Sequence, residues 1–218
     1  MMVDFSRARR TMVDNQLRTS GITDLRILDA MNRVPRERFV PDHQAPFAYS
    51  DDDIPLSGRR VLAAPADFAR LVQLAEVGSQ DVVLDVGCGT GYSTAVLSML
   101  ANAVVALESD EVMAGKANDI LADLDIGNAA AVAGPIEQGL AREAPFDVII
   151  LEGSVDVVPP ALLDQLRDGG RLVAVLGSGN AAVAHLYVRT GEDVAATPSF
   201  NVGLPILGKF ASAPAFVF

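Results

Sequence analysis

A run of glycines between an apolar stretch and a helical pattern is where chemistry is most legible in this chain. The run reads Val83-Leu84-Asp85-Val86-Gly87-Cys88-Gly89-Thr90-Gly91-Tyr92. Glycine permits a tight turn and lets a ligand touch the backbone. A doubly wound sheet also wants glycine here for helix packing, so a bare Gly-x-Gly fits both readings. The spacing narrows the ligand. A dinucleotide fingerprint needs Gly-x-Gly-x-x-Gly, and counting from Gly87 puts Tyr92 at the third glycine. A phosphate-binding P-loop needs Gly-Lys-Ser/Thr, and this run has no lysine. What stands here is Gly-x-Gly-x-Gly with Asp85 two residues upstream. An acid beside the loop disfavours a pyrophosphate and suits an ammonium group.

Glu108 closes the next apolar run, Val104-Val105-Ala106-Leu107-Glu108-Ser109. An acid at the end of the second strand can accept hydrogen bonds from both hydroxyls of a ribose. Alone, Glu108 reads better as a solvated strand end; beside the glycine loop, the ligand reading prevails. A ligand with an amino-acid ammonium, a ribose and no phosphate is S-adenosylmethionine. These residues resemble the Rossmann-like methyltransferase class.

The elements that must hold such a loop follow from periodicity. Strands are expected at Asp81–Val86, Ala103–Leu107, Asn128–Ala133, Phe146–Leu151 and Arg171–Leu176. Helices are expected at Tyr92–Ala101, Glu111–Leu124 and around Pro160–Leu166. Alternating units with nearly continuous apolar strands predict an α/β fold, a mostly parallel sheet covered by helices on both faces. Two further runs, Ala184–Arg189 and Phe210–Phe218, predict added antiparallel strands and a total of seven. Residues 1–75 read as a helical extension with an acceptor-side loop, and residues 76–218 as the ligand-binding core. In the extension, Ser6 is expected to cap a helix through about Thr19. Thr23 is expected to cap another through about Asn32, with Leu25, Leu28 and Met31 on one face. Pro35, Pro41, Pro46 and Pro55 then enforce loops before a helix at about Ala66–Glu76.

Composition sets the outer bounds. Half of the 218 residues are apolar, which supports one well-packed domain and excludes global disorder. The net charge is −11, with residues 1–62 at +1 and the remainder carrying all the excess acid. Such a surface repels phosphodiesters and anionic membranes, so neither nucleic acid nor membrane is an expected partner. Cys88, alone, cannot form an internal disulfide, which fits a reducing compartment. The charged N-terminus does not read as a signal peptide, and a cytoplasmic location is expected. Val86–Leu107 carries no charge, but its glycines and its change of period fit a buried strand–turn–helix better than a membrane span.

The resemblance sharpens upstream of the loop. Met12-Val13-Asp14-Asn15-Gln16-Leu17-Arg18, Gly21-Ile22-Thr23-Asp24 and Val34-Pro35-Arg36-Glu37-Arg38-Phe39-Val40-Pro41 resemble the N-terminal region of protein-L-isoaspartate O-methyltransferases. Ala48-Tyr49 and Ile54-Pro55-Leu56 continue it in order. Phe146-Asp147-Val148-Ile149-Ile150, Pro159-Pro160-Ala161-Leu162-Leu163-Asp164-Gln165-Leu166 and Gly169-Gly170-Arg171-Leu172-Val173 match the family's later strand–helix–strand. The resemblance covers most of residues 12–176. It implies methylation of the α-carboxylate of L-isoaspartyl residues in damaged proteins, which begins their repair, with S-adenosylmethionine as cofactor. The loop reading and the resemblance together place expected cofactor contacts at Asp85, Gly87, Cys88, Gly89, Gly91, Glu108, Ser109 and Ile136, with Glu137 and Glu152 as this chain's own additions, and no metal is expected.

The chain also departs from the family. Where a Ser is expected to bind the acceptor carboxylate, the run is Arg59-Arg60-Val61-Leu62-Ala63-Ala64-Pro65, and the Ala63 methyl cannot donate a hydrogen bond. Arg59 or Arg60 as a replacement grip, or as solvated side chains, are equal readings. Gly134-Pro135-Ile136 stands where the family has an adenine-contacting Gly-Asp-Gly, with Glu137 nearby as a substitute. Glu152-Gly153-Ser154 replaces small residues after the fourth strand and adds an acid. Two rival functions stay open: a carboxyl methyltransferase with another peptide or small-acid acceptor, and a silent cofactor-binding regulator. His43 and His185 have no neighbours at metal-ligand spacing.

Overall fold

The computed structural model of the protein describes residues 4–58 and 60–208. Asp4 accepts a hydrogen bond from the Arg7 amide at 3.0 Å and starts α1 (Phe5–Met12), which continues as a π-helical turn over Val13–Leu17. Asp24 caps α2 (Leu25–Arg33) by accepting from the Arg26 amide at 2.8 Å. The expected caps Ser6 and Thr23 are therefore corrected to aspartates, whose ionised oxygens suit the positive end of a helix. Leu25 is corrected too. It is exposed, and Ile27, Leu28, Ala30 and Met31 form the buried face.

Short 3-10 turns at Arg36–Phe39 and Asp42–Phe47 lead to a small hairpin, β1 (Ile54–Pro55) against β2 (Val61–Leu62). Pro65 then occupies the first turn of α3 (Pro65–Ala75), where its missing N–H costs nothing. The main sheet comprises β3 (Val82–Val86), β4 (Ala103–Glu108), β5 (Ala129–Ala133), β6 (Phe146–Val155), β7 (Leu166–Leu176), β8 (Val183–Thr190) and β9 (Asp193–Asn201). Between them lie α4 (Tyr92–Ser98), α5 (Glu111–Asp123) and α6 (Pro160–Leu163). The strand order is β5-β4-β3-β6-β7-β8-β9; the first five pair in parallel, and β8 and β9 add on antiparallel.

Seven strands and a mostly parallel sheet agree with the sequence reading, with two differences. The last strand is Asp193–Asn201, a half-polar run that alternation does not reveal. The run at Phe210–Phe218, expected to form a strand, lies outside the described residues. The charge-free stretch Val86–Leu107 resolves into a strand end, the glycine loop, α4 and most of β4. No helix among the described residues is long and apolar enough to cross a membrane.

The order of the strands decides where a ligand can sit. From β3 the chain moves outward through β4 to β5, then returns to the other side of β3 as β6. That reversal opens a crevice beyond the carboxyl ends of β3, β4 and β6, the usual ligand position in open α/β sheets. At its rim, β6 bulges: Ile150 pairs with Val173 and Ser154 with Val175, so β6 carries two extra residues around Glu152. The extension closes one wall. Met12, Leu17, Met31 and Phe39 share a continuous core with Phe68, Tyr92, Val148 and Val173.

Candidate cofactor and acceptor site

Gly87, Cys88, Gly89 and Gly91 form the turn from β3 into α4. Gly87 and Gly91 both adopt left-handed backbone, φ 83° and 91°, which disfavours any side chain. Their surroundings separate two roles. A Cβ at Gly91 would stand 2.9 Å from the Ala117 methyl on α5, so this glycine answers to helix packing. A Cβ at Gly87 would stand 2.3 Å from Leu207, and one at Gly89 3.0 Å from Leu56. Those two glycines form the floor of the crevice, and the chain's own leucines overhang it.

Glu108 is the hub of the site. Its residue is 0% exposed. Oε2 accepts from the Gly89 amide at 3.0 Å, and Oε1 from the amides of Ser109 at 2.7 Å and Asp110 at 3.1 Å. Arg60 grips the same carboxylate: Nε lies 3.0 Å from Oε2 and Nη2 2.9 Å from Oε1. Its Nη2 also reaches Ser109 Oγ at 3.0 Å, and its Nη1 donates to the Leu207 carbonyl at 2.9 Å. Burial works to raise the Glu108 pKa, but Arg60 and the backbone donors of Asp110 and Gly89 hold it below the usual carboxylate range.

Asp85 and Glu152 carry a different signal. Asp85 Oδ2 accepts from Ser93 Oγ and Thr94 Oγ1, both at 2.7 Å, while its buried Oδ1 has no partner. Glu152 Oε1 is likewise buried and unpartnered. Burial pushes the Asp85 pKa up to about 6 against the hydrogen bonds of Thr94 and Ser93, with the charge of Glu108 adding to the rise. Glu152 is pushed well above its ordinary value, first by burial and then by Asp85. A buried acid with an orphaned oxygen destabilises a fold unless a cation completes it. For Asp85 the sign follows directly. The unfolded chain loses this proton near pH 3.9 and the folded chain near 6, so this group's contribution to stability falls between those values and is flat above.

The wall that the N-terminal extension contributes to the crevice is built around a residue to which the sequence reading gave no role. Arg36 is 0% exposed and donates to the Ala48 carbonyl at 2.7 Å and the Ala63 carbonyl at 2.5 Å. Its guanidinium lies 4.8 Å from the Tyr92 ring centroid. A cavity of about 10 Å³ remains between Arg36, Ala63, Phe68, Gly87, Tyr92 and Glu152.

The structure thus brings together Arg60, Ala63, Asp85, Gly87, Cys88, Gly89, Glu108, Ser109 and Glu152. Cys88 is a buried filler, its thiol pushed up by burial and then by Asp85 and Glu108. Ile136 packs with Leu84, Val86 and Leu107 in the core, whereas Glu137 is exposed on a short 3-10 turn. Arg59 lies outside the described residues. Sequence reasoning missed Arg36, Ser93, Thr94, Leu56 and Leu207. Ser93 and Thr94 had a signal, being hydroxyls in the first turn after the loop that follows an acidic strand. Leu207 had none.

The sequence profile described as protein-L-isoaspartate(D-aspartate) O-methyltransferase matches residues 7–202. A protein-L-isoaspartate O-methyltransferase 2 from Shewanella sediminis is 43% identical over 174 residues, covering 80% of this chain and 71% of the relative. A protein-L-isoaspartate O-methyltransferase from Koribacter versatilis is 40% identical over 215 residues, 98% of this chain and 97% of the relative. Among solved structures, a protein-L-isoaspartate O-methyltransferase superposes with a TM-score of 0.79 at 24% identity, over 92% of this chain and 66% of that one. A Plasmodium falciparum structure in complex with S-adenosyl-L-homocysteine gives 0.74 at 20% identity, over 92% of this chain and 98% of that one. Both superpositions speak to the fold. The extent and identity of the sequence matches decide the family: this chain belongs to the protein-L-isoaspartate(D-aspartate) O-methyltransferases.

Proposed function

We propose that the protein uses S-adenosylmethionine to methylate the α-carboxylate of L-isoaspartyl residues in proteins. The observation that carries the cofactor part is the set of three carboxyls at adjoining strand ends, two with buried oxygens that lack a partner. That donor set fits the group. Glu108 would take the ribose hydroxyls, Asp85 and Glu152 the ammonium, and Gly87 and Gly89 the methionine portion. Ser109 stands beside the ribose position.

The bound sulfonium supplies the methyl group and the driving force for its transfer. The chain's own residues have a smaller chemical task. An acceptor carboxylate is already ionised at pH 7, about 3 units above its reference pKa, so no general base is required. The walls formed by Arg36, Phe68 and Tyr92 exclude water and fix the direction of approach, and in-line placement then accounts for most of the rate.

The membership that the sequence matches establish supports the acceptor assignment. Ala63 favours a second reading, a carboxylate acceptor of another kind, because its methyl gives the acceptor no hydrogen bond. Methyl transfer from labelled S-adenosylmethionine to an L-isoaspartyl peptide, with the aspartyl peptide as control, distinguishes the two. Selective labelling is the expected result. Labelling of neither peptide, with cofactor binding intact, transfers the assignment to another acceptor or to a silent regulator.

The acid pair adds a pH signature. Binding a cation favours ionised carboxyls, so protons held by Asp85 and Glu152 must leave as the cofactor enters. Affinity is expected to climb as pH rises through about 6, the Asp85 value. Calorimetric titration at pH 6 in two buffers of different ionisation enthalpy should show net proton release. Identical heats in both buffers would remove these acids from the ammonium site.

A further inference from the structure

Arg60 satisfies all of its nitrogens on groups that belong to the cofactor crevice. Nε and Nη2 fork onto Glu108, Nη2 also meets Ser109 Oγ, and Nη1 holds the Leu207 carbonyl. The Arg60 side chain is 12% exposed and that of Glu108 0%, so the pair is largely sealed from solvent. By gripping the Leu207 carbonyl, Arg60 also ties the C-terminal segment to β4. That segment is seated on β6 by Ser154, whose amide donates to Pro205 O at 2.9 Å and whose carbonyl accepts from Leu207 at 2.8 Å. The leucine side chain then fills the Gly87 cradle. Guanidinium and leucine thus stand where a ribose diol and a methionine chain would stand.

We propose that Arg60 is a cofactor-gated anchor for the acceptor: it rests on Glu108, is released when a ribose takes that carboxylate, and then binds the acceptor's carboxylate. The proposal rests on the cofactor reading given above. Three features carry it beyond an ordinary ion pair. First, Glu108 keeps its three backbone donors without Arg60, so it is not left bare when the guanidinium departs. Second, Glu108 exchanges the guanidinium for two ribose hydroxyl donors, while the ligand's ammonium brings positive charge to the neighbouring Asp85 and Glu152. Third, Arg60 closes the turn of a hairpin whose strands pair at two positions among the described residues; its backbone is held by Leu56 N–H at 2.9 Å and by its own N–H to Ser57 O at 3.0 Å, so the side chain can leave while the turn stays in place. The tip lies on the acceptor side, three residues from Ala63, where the family's hydroxyl is missing. A forked guanidinium is the side chain best suited to replace it.

The consequence is an ordered reaction in which cofactor binding creates the acceptor site. Coupling of this kind is reciprocal, and a closed resting state lowers apparent cofactor affinity by the fraction of molecules that are open. The test is calorimetric binding of S-adenosylhomocysteine, and of an isoaspartyl peptide with and without it, to wild type, R60A and R60Q. For a resting state about 90% closed, R60A should bind S-adenosylhomocysteine about tenfold more tightly. Wild type should bind the peptide roughly tenfold more tightly when S-adenosylhomocysteine is present, and R60A should bind it weakly in both conditions. R60Q preserves the bulk of the side chain and should behave as R60A does, which guards against a folding defect in either variant. A merely structural ion pair predicts the opposite sign, weaker nucleoside binding as Glu108 loosens. Unchanged or weaker binding by R60A, or peptide binding by wild type indifferent to S-adenosylhomocysteine, overturns the gate alone. Absence of S-adenosylhomocysteine binding by wild type and both variants overturns the cofactor reading as well.

Discussion

Glu108→Ala is expected to weaken S-adenosylhomocysteine binding by about tenfold to 1,000-fold net, measured by calorimetry. A hydrogen bond to a charged acceptor contributes about 1.5–3 kcal/mol, and the ribose would make two of them. The substitution also removes the acceptor of the Gly89, Ser109 and Asp110 amides, so the loop and the first turn of α5 lose their common tether. Freeing Arg60 works in the other direction. That gain is about tenfold at most if the closed state holds 90% of the molecules, so a net loss remains. Glu108→Gln separates the contributions: it keeps the shape and one acceptor oxygen but surrenders the charge. Affinity within a few-fold of wild type for both variants would place the nucleoside elsewhere.

The second large effect concerns the fold beneath the site. Arg36→Ala should lower the free energy of unfolding by about 3 kcal/mol, read from urea denaturation. Two buried carbonyls, of Ala48 and Ala63, lose their donors at about 1–3 kcal/mol each, and a cavity opens against Tyr92. Against this, a buried cation is itself costly, and burial already depresses the Arg36 pKa. The carbonyls decide the sign because neither has water to turn to. Arg36→Met fills most of the volume without donating, so the difference between the two variants measures packing alone. If both variants unfold within 1 kcal/mol of wild type, Arg36 does not hold the acceptor wall.

Much of this architecture is legible in residue order. Val82–Val86, Ala103–Glu108 and the start of β6 are β-branched or apolar runs long enough to announce buried parallel strands, and the glycines mark the turn between β3 and α4. The acids at 85, 108 and 152 were legible because each follows an apolar run toward the carboxyl end of a strand, and those ends converge in such a sheet. What the sequence withheld is contact across the fold. Arg60 and Glu108 are 48 positions apart, and Leu207 is 147 positions from Arg60; no periodicity encodes either meeting. Asp193–Asn201 escaped for another reason. Most of its residues are exposed, so it lacks the apolar alternation that burial imposes.

That exposed strand also bears on whether copies of this chain can pair edge to edge. A sheet's outermost strand offers free amides and carbonyls, and two such borders from separate molecules can zip together into growing aggregates. Among the described residues one border is β9, which contains Pro198, a residue with no N–H to offer, and an irregular register against Val183 and His185. The opposite border is β5, only five residues long. Both flanks are therefore poor templates for recruiting another chain. For a member of a family that acts on isoaspartyl residues in proteins, that is self-protection: the catalyst can approach another polypeptide without being stitched to it.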